Sequence, residues 1–375
     1  MKILVAPQEL KGTLTGAQAA EAIARGIWSA MRDARLELVP IADGGPGTVD
    51  AFVRATRAEL VEVPAEDAIG RHAPTAFAVR DGRAVIEMAA ASGLSRVFPA
   101  ERDPLRASTR GTGELIAAAL DRGCKELWIG LGGSATTDGG AGALEALGAR
   151  FLDAEGNRLA PGGAALAQLE RFKLDRVQAR LNGAKLMALT DVRAPLLGPT
   201  GAAAVFGPQK GATPEEVAEL ERALERLHQV ALRQLGRDLA SEPGAGAAGG
   251  LGYGLLMLGA DLRDGFASLA ELMGLQEKIR QADLVVTAEG RLDGQTAMGK
   301  GPAALAALAS AEGRPTVILA GSIDPDAPLG SFALAEALGG QAGQLPSHAE
   351  AGAALEAAAR RIAPRLPALC PKAQG

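Results

Sequence analysis

Acidic residues beside glycines recur where apolar, strand-like runs end in this sequence. Asp43, Asp138 and Asp191 follow such runs, and Glu289 and Asp293 flank another glycine turn. Several carboxylates gathered at one sheet edge repel one another unless a cation lies among them. Mg²⁺ needs only one or two of them, because phosphate oxygens and water supply its remaining ligands. The pattern therefore predicts a magnesium and phosphate site.

Basic residues lie close to these acids in the sequence. They are Lys11, Arg110, Lys210, Arg291 and Lys300. Any single acid of the set could be an ordinary helix cap or turn residue. Carboxylates, cations and glycine loops together are what phosphoryl transfer requires, since positioning and charge neutralisation provide most of its catalysis. The combination thus favours a kinase-like site over a purely structural one.

The segment LWIGLGGSATTDGGAG (residues 127–142) combines a strand-like run with a loop of small residues. Gly132 and Gly133 can adopt positive φ angles, so that backbone amides converge on an anion. Ser134 and Thr136 add hydroxyl donors, as does the neighbouring threonine, and Asp138 is the one charge inside the loop. We predict that this loop binds phosphate, although a tight turn without ligand is the simpler alternative.

Three stretches nearly match nucleotide-binding motifs, and one of them lies within the segment just described. Residues 244–249 fit G-x-G-x-x-G but follow Ser-Glu-Pro instead of a strand. Residues 130–135 do follow a strand, with Asp153 downstream, so a nicotinamide-dependent dehydrogenase of a small hydroxy acid remains an alternative. Residues 294–300 fit a Walker A pattern up to Lys300, but Gly301 replaces the hydroxyl residue that would bind magnesium.

The elements that would position these residues indicate an α/β protein with two α/β domains. The first fifty residues alternate strand and helix, as in a parallel sheet whose sites lie at strand carboxyl ends. Three short strand-like runs between residues 60 and 88 predict antiparallel pairing and entry into another domain. We expect a discontinuous Rossmann-like domain of residues 1–60 and 282–375, with a mostly parallel sheet, interrupted by a mixed-sheet domain of residues 61–281.

Composition restricts the class of partner. The chain has 375 residues, net charge −5 and 3% aromatic residues, which argue against nucleic acid, anionic membranes and base-stacking surfaces. Its two cysteines form no metal-binding or disulfide pattern, and no signal or membrane-spanning segment is recognisable. We therefore expect a cytoplasmic protein that acts on small molecules. Its oligomeric state, such as a homodimer, stays open.

Over nearly its whole length the chain resembles the bacterial glycerate kinase family of the glyoxylate-pathway type. The matching stretches occur in the family's order. They are APQELKGTLT (6–15), IADGGPGTVDA (41–51), EMAAASGL (87–94), STRGTGELI (108–116), GLGGSATTDGGAGALEALGA (130–149), TDVRAPLLGPTGAAAVFGPQKGA (190–212), PGAGAAGGLGYG (243–254) and TAEGRLDGQTAMGKGP (287–302). The resemblance implies ATP- and Mg²⁺-dependent phosphorylation of D-glycerate, with the active site in a cleft between two domains.

The resemblance has two departures. Members of the family commonly have Asp and Ser where this chain has Gln8 and Glu9, so an essential acid at position 8 is not expected here. They usually have Glu where this chain has Pro46, so position 46 is expected to shape its loop and to do no chemistry. Lys11 is retained.

From the resemblance we hypothesise roles for these residues, and we count Glu289, Asp293 and Lys300 among those that bind substrate or phosphate. The ATP phosphates would lie against the amides of residues 132–134 and against Lys210, with Mg²⁺ held by Asp191 or Asp43. Arg291 and Lys11 are the first choices for the glycerate carboxylate, which calls for a forked or charged donor. Asp191 is the leading candidate for the group that accepts the hydroxyl proton, and Asp43 is the second. The 2-hydroxyl is the favoured acceptor over the 3-hydroxyl. A sugar-acid or nucleotide sensor without catalysis is a further alternative.

Overall fold

The computed structural model describes residues 1–10, 12–292, 301–327, 329–339 and 348–370. Within these residues the strands are β1 (Lys2–Val5), β2 (Arg35–Leu38), β3 (Glu59–Glu66), β4 (His72–Arg80), β5 (Arg83–Glu87), β6 (Glu126–Gly130), β7 (Arg150–Leu152), β8 (Arg171–Lys173), β9 (Lys185–Leu189), β10 (Asp261–Arg263), β11 (Leu284–Leu292), β12 (Thr316–Ile323) and β13 (Leu334–Ala337). The α-helices are α1 (Gly16–Ala30), α2 (Thr48–Thr56), α3 (Ala89–Ser92), α4 (Arg110–Asp121), α5 (Ala141–Ala146), α6 (Asp175–Leu181), α7 (Ala202–Phe206), α8 (Pro214–Leu235), α9 (Ala247–Met257), α10 (Gly265–Leu272), α11 (Leu275–Gln281), α12 (Pro302–Ala311), α13 (His348–Ile362) and α14 (Leu366–Leu369).

The chain divides into two compact units. The first consists of residues 1–43, 50–57 and 266–375, and the second of residues 44–49 and 58–265. Helices α10 and α11 group with the first unit. The reason is packing: Phe266, Leu275 and Ile279 share an apolar cluster with Leu4 and Val285 of the first sheet.

The first unit contains a parallel sheet in the order β13-β12-β11-β1-β2. Counted along the chain, this is the order 2-1-3-4-5, the flavodoxin-like form of a doubly wound sheet. Ile3 and Val5 face a cluster with α1 and α13, and Leu4 faces the cluster with α10 to α12. The fold-class prediction of a mostly parallel sheet is thereby confirmed, and its topological switch point lies between β1 and β11.

The second unit contains a mixed sheet in the order β10-β9-β6-β5-β4-β3. Strands β3, β4 and β5 pair antiparallel, and β5, β6, β9 and β10 are parallel. Asp81 and Gly82 both have positive φ, as the tight turn between β4 and β5 requires. The mixed sheet predicted for this part of the chain is confirmed.

Helix α8 begins with a capping signal that is visible in its sequence. Thr213 caps it in a reciprocal capping box with Glu216, and Pro214 occupies its first turn. Its buried face carries Leu220, Leu224 and Leu227, which pack in the large core of the second unit. None of the described helices has an apolar run long enough to cross a lipid bilayer.

One predicted strand end is wrong. The sequence pattern placed the end of β11 before Glu289, but the strand continues to Leu292 because it stays paired with β12, where Arg291 lies opposite Ser322. Tertiary pairing therefore overrides the breaking tendency of Gly290. The Walker-like stretch that follows, residues 294–300, lies outside the described residues.

Candidate active site

The glycine-rich loop, residues 131–140, follows β6 and packs against the turn at residues 44–46. The amide of Gly132 donates to Gly44 O at 3.0 Å. A Cβ placed on Gly130 would lie 2.3 Å from Gly44 O, and one on Gly132 would lie 2.5 Å from Gly45 Cα. Contacts this close between two backbones exclude any side chain. These glycines are therefore needed for packing, whatever the loop binds.

A second glycine-rich segment covers the other side of the loop. Within α9, Ala248, Gly249 and Gly250 have φ values of 53°, 67° and 88°, which form a left-handed turn. A Cβ on Gly249 would lie 1.9 Å from Thr136 O. Gly139 N in turn donates to Gly249 O at 3.0 Å. The G-x-G-x-x-G match at residues 244–249 thus belongs to a packing contact, and no strand precedes it.

Asp138 holds the buried end of the loop together. Its carboxylate accepts hydrogen bonds from Thr109 N and Oγ1, both at 2.8 Å, and from Gly140 N and Gly142 N, both at 3.1 Å. The side chain is fully buried. Burial raises the pKa of Asp138, while these hydrogen bonds act in the opposite direction. Asp138 therefore fixes the start of α5 against the start of α4 and has no exposed surface.

Lys210 lies behind the same loop. Its Nζ donates to Thr136 O at 2.6 Å, and the residue is only 2% exposed. Burial lowers the pKa of Lys210 to about 7, and the nearby charge of Asp138 opposes that shift. The hydroxyl of Thr136 is also fully buried and has no hydrogen-bond partner among the described residues. In this structure Lys210, Thr136 and Asp138 stabilise the loop from its inner side.

The outer side of the loop presents two backbone amides. Neither Gly133 N nor Ser134 N donates a hydrogen bond within the described part of the chain. Gly133 is exposed and has φ 77°, while Ser134 is 9% exposed and forms a bridge with Gly93. Pro46 lies beside them, 3.1 Å from the position of a Cβ on Gly133. Of the three amides predicted to bind phosphate, these two are the ones that remain available.

The parallel strands of the second unit end side by side. Glu87, Gly130, Leu189 and Arg263 are register partners across β5, β6, β9 and β10. The residues that follow them therefore meet at one sheet edge, where open α/β sheets bind ligands. Thr190 and Asp191 come directly after β9, beside the start of the glycine-rich loop, and Asp191 Oδ1 accepts from Gly265 N at 3.0 Å.

A concave region at this edge, which we name the strand-end pocket, has a volume of about 660 Å³. Asp191 lies in its wall beside three arginines, Arg193, Arg237 and Arg263. The rest of the lining consists of Thr190, Val192, Leu239, Glu242, Pro243, Leu256, Ala260, Asp261, Leu262 and Asp264. The volume is in the range of small-molecule sites, and half of the fourteen lining residues are charged.

In the first unit, polar side chains gather at the switch point of the parallel sheet. Gln8 follows β1 and its backbone amide donates to Ala288 O at 3.2 Å, next to Glu289 of β11. The side-chain Nε2 of Gln8 donates to Asp43 Oδ2 at 2.8 Å. Gln8 therefore contacts the predicted acid directly, and the departure from the family pattern at position 8 places a neutral donor against Asp43.

Arg291 makes a forked ion pair within the first unit. Its Nε and Nη2 atoms lie 3.0 and 2.9 Å from the two carboxylate oxygens of Asp324. The contact occupies the guanidinium edge that was predicted to hold the glycerate carboxylate. Lys11, Asp293 and Lys300, the remaining predicted residues of this unit, lie outside the described residues.

The donor groups suit magnesium better than a metal that needs a protein cage. Among the described residues, no three His, Cys, Asp or Glu side chains lie close enough together to hold a metal ion by themselves. Asp191 offers a carboxylate that a backbone amide fixes at the pocket wall. One or two such carboxylates are sufficient for Mg²⁺ when a phosphate supplies further oxygens, so the residues present fit this ion.

The model of the glycerate kinase family matches residues 3–366. The chain belongs to the glycerate kinase family. A glycerate kinase of Bacillus subtilis (strain 168) is 46% identical over 329 residues, covering 87% of this chain and 86% of that protein. The glycerate 2-kinase of Escherichia coli (strain K12) is 41% identical, with 87% and 86% coverage.

A solved structure supports the same assignment. The crystal structure of a Salmonella typhimurium LT2 protein assigned as glycerate kinase 2 superposes with a TM-score of 0.86 at 40% identity, covering 98% of each chain. The family recognised from the motifs is therefore confirmed, and with it the prediction of a glycerate-phosphorylating enzyme. These comparisons give no support to a nicotinamide-dependent dehydrogenase or a sensor.

Sequence reasoning missed several residues that the structure brings to the site. Thr109 lies in one of the family-like stretches, STRGTGELI, but its partnership with Asp138 depends on the packing of α4 against α5. Arg193 also lies in a family-like stretch, beside Asp191. Arg237 follows the end of α8 with no motif around it, so nothing in the sequence pointed to its place in the pocket wall.

Proposed function

We propose that this chain transfers the γ-phosphoryl group of ATP to a hydroxyl of D-glycerate, with the 2-hydroxyl as acceptor. The observation that carries this proposal is the position of Asp191 at the edge where the amides of Gly133 and Ser134, which donate to no described residue, also lie, in a chain of the glycerate kinase family. The name of the Escherichia coli relative, glycerate 2-kinase, favours the 2-hydroxyl.

The residues of the second unit divide the work between them. The amides of Gly133 and Ser134 hold the terminal phosphate, because converging backbone N–H groups favour an anion. Asp191 accepts or orients the proton of the attacking hydroxyl, and the Gly265 amide keeps its carboxylate in place. Lys210, Thr136 and Asp138 act through the loop that they support and do not touch the substrate. Gly132 allows the loop to pack closely against Gly45.

Asp191 or Asp43 would hold Mg²⁺, which would supply charge neutralisation at the phosphates. Asp43 is the second candidate both for the metal ligand and for the proton acceptor, with Gln8 fixing its orientation. For the glycerate carboxylate, Lys11 becomes the first choice, since Asp324 already occupies the fork of Arg291. Roles for Glu289, Asp293 and Lys300 in substrate or phosphate binding stay predictions, as do the domain limits, a homodimer and the cytoplasmic location.

The test is ADP release from ATP with D-glycerate present and absent, with Mg²⁺ in both reactions. We expect release only with glycerate, and its loss when EDTA removes the metal. Coupling to enolase identifies the product, because enolase dehydrates 2-phosphoglycerate directly and does not act on 3-phosphoglycerate. ADP release that is independent of glycerate would contradict the proposed reaction, and a product that enolase leaves unchanged would contradict the choice of hydroxyl.

A further inference from the structure

The three arginines of the strand-end pocket differ in their partners. Arg263 has its charge engaged: its Nη2 lies 3.5 Å from Asp261 Oδ2, and its guanidinium carbon lies 5.6 Å from the centre of the Trp128 ring. Neither Arg193 nor Arg237 has an ion pair or a side-chain hydrogen bond within the described residues, although both are exposed and line the pocket. Two guanidinium groups in one concavity that pair with none of the described residues are suited to bind phosphate oxygens.

The rest of the pocket wall restricts the class of ligand that carries those phosphates. Leu239, Pro243, Leu256 and Leu262 form an apolar surface in the same pocket. D-Glycerate has only three carbons, so it would leave most of a volume of about 660 Å³ empty and could not cover this surface. A nucleotide has both parts: a flat, weakly polar base for the apolar wall and a phosphate chain for the arginines.

The position of the pocket at the sheet edge indicates the direction in which a bound phosphate chain extends. Leu189, at the end of β9, is a register partner of Gly130 on one side and of Arg263 on the other. Neighbouring strands are about 4.8 Å apart, so about 10 Å separates the start of the glycine-rich loop from the β10 edge. Asp191 lies between them. A phosphate chain that starts in the pocket therefore points past Asp191 toward the amides of Gly133 and Ser134.

The charge of the pocket favours the magnesium complex of the nucleotide over the free polyanion. Asp191, Glu242, Asp261 and Asp264 line the same cavity as the three arginines. Free ATP would place its whole negative charge next to these acids, whereas bound Mg²⁺ lowers that charge and can use a carboxylate as a ligand.

We propose that the strand-end pocket binds the adenosine part and inner phosphates of Mg²⁺–ATP, with Arg193 and Arg237 as the residues that bind phosphate. This assignment rests on the proposed function, because it places the phosphoryl donor of that reaction. It gives roles to two arginines for which the sequence motifs predicted none. It also leaves the acceptor acid to be bound elsewhere.

The test measures binding of a non-hydrolysable ATP analogue with Mg²⁺, by calorimetry and without glycerate. We expect Arg237→Ala and Arg193→Ala each to raise the Kd for the analogue at least about tenfold, as for the loss of a charge-assisted hydrogen bond. The KM for ATP should rise in parallel, and the KM for D-glycerate should stay the same. Inorganic tripolyphosphate, which lacks the base, should bind the wild-type protein more weakly than the analogue.

Arg222→Ala is the matched control. Arg222 is an exposed residue of α8 without an ion pair among the described residues, and the rise of the helix places it about 20 Å from the C-terminal end near Arg237. We expect this variant to leave both KM values and the Kd unchanged. Thermal unfolding of all three variants shows whether the substitutions keep the fold.

An unchanged Kd for the analogue in folded Arg193→Ala and Arg237→Ala would overturn the assignment. A rise confined to the KM for D-glycerate would also overturn it and would make the pocket the acceptor site. Equal binding of tripolyphosphate and the ATP analogue would show that the apolar wall does not bind the base. The proposed reaction would survive all three results, because it fails only if ADP release by the wild-type protein does not depend on glycerate.

Discussion

The glycine-rich loop and the strand-end pocket lie at the same edge of one sheet but are built in opposite ways. In the loop, Asp138 and Lys210 are buried and hydrogen-bonded to neighbouring segments, and most glycines permit contact between backbones. In the pocket, Arg193 and Arg237 are exposed and Asp191 faces a cavity. The comparison teaches that the segment with the most conspicuous motif is mainly scaffold, and that the side chains beside it line a cavity that a ligand can reach.

Asp191→Asn should give the largest effect. We expect it to lower kcat and to leave the stability of the fold unchanged. The amide retains an oxygen that can accept from Gly265 N, so the fold should be unchanged. Loss of the carboxylate should lower kcat by about 10³-fold, which corresponds to ~4 kcal/mol. Steady-state ADP release and thermal unfolding measure the two quantities.

Asp153→Asn is the control for that experiment. Asp153 also accepts a backbone hydrogen bond, from Asn157 N at 2.8 Å, but it lies in a turn away from the pocket lining. It should keep normal turnover. Near-normal kcat in Asp191→Asn would show that Asp191 has no catalytic role. The pocket would then not differ from the loop in the way proposed.

Gly249→Ala should give the second largest effect, this time in stability. The new Cβ would lie 1.9 Å from Thr136 O, at a residue with φ 67°. Gly236 has the same φ of 67° but nothing within 4 Å of its Cβ position. Backbone strain of about 1 kcal/mol is common to both alanine variants, whereas the collision should cost Gly249→Ala a further ~2 kcal/mol or more. Urea unfolding compares them, and equal losses would contradict the scaffold role of α9.

Lys210→Met should change the pH dependence of stability. The pKa of Lys210 is about 7 in the folded chain, against 10.5 when unperturbed. Between these values the unfolded chain binds one proton more, so the wild-type free energy of unfolding gains up to about 1.4 kcal/mol per pH unit from this group as pH rises. The methionine variant lacks that gain.

The stability of Lys210→Met relative to the wild type should therefore be highest at about pH 7 and below, and should decline as the pH rises toward 10. Urea unfolding of both proteins across this range provides the measurement. Parallel curves would show that Lys210 is not buried as a neutral amine in solution. Such curves would favour an exposed Lys210 that can contact phosphate.

Thr136→Val should have the smallest effect. The Thr136 hydroxyl is fully buried and has no described partner, so its loss should leave stability unchanged or raise it by up to about 1 kcal/mol, with the KM for ATP unaffected. Thr109→Val is the matched comparison, because Thr109 Oγ1 donates to Asp138 and accepts from Ala143 N. It should lose about 2 kcal/mol. A raised KM for ATP in Thr136→Val would place this hydroxyl at the ligand.

The sequence alone determined the fold class and the family. Strand-like runs and capping signals such as Thr213-Pro214 depend on local chemistry, and the family motifs extend over nearly the whole chain. The acids at strand ends were also recognisable, because parallel strands bring their carboxyl ends to one edge. Asp191 was identified in this way, from its position directly after β9.

Only the tertiary structure decided which of these residues face solvent. Asp138 and Lys210 carry the charges expected of a phosphate site, yet the packing of α4, α5 and α9 around the loop buries them both. Arg237 carries no motif, and the hydrogen bond from Leu196 N to Ala240 O at 2.8 Å holds its segment beside the residues that follow β9. Burial and pocket shape depend on contacts between residues far apart in the chain, and the type of a residue does not encode them.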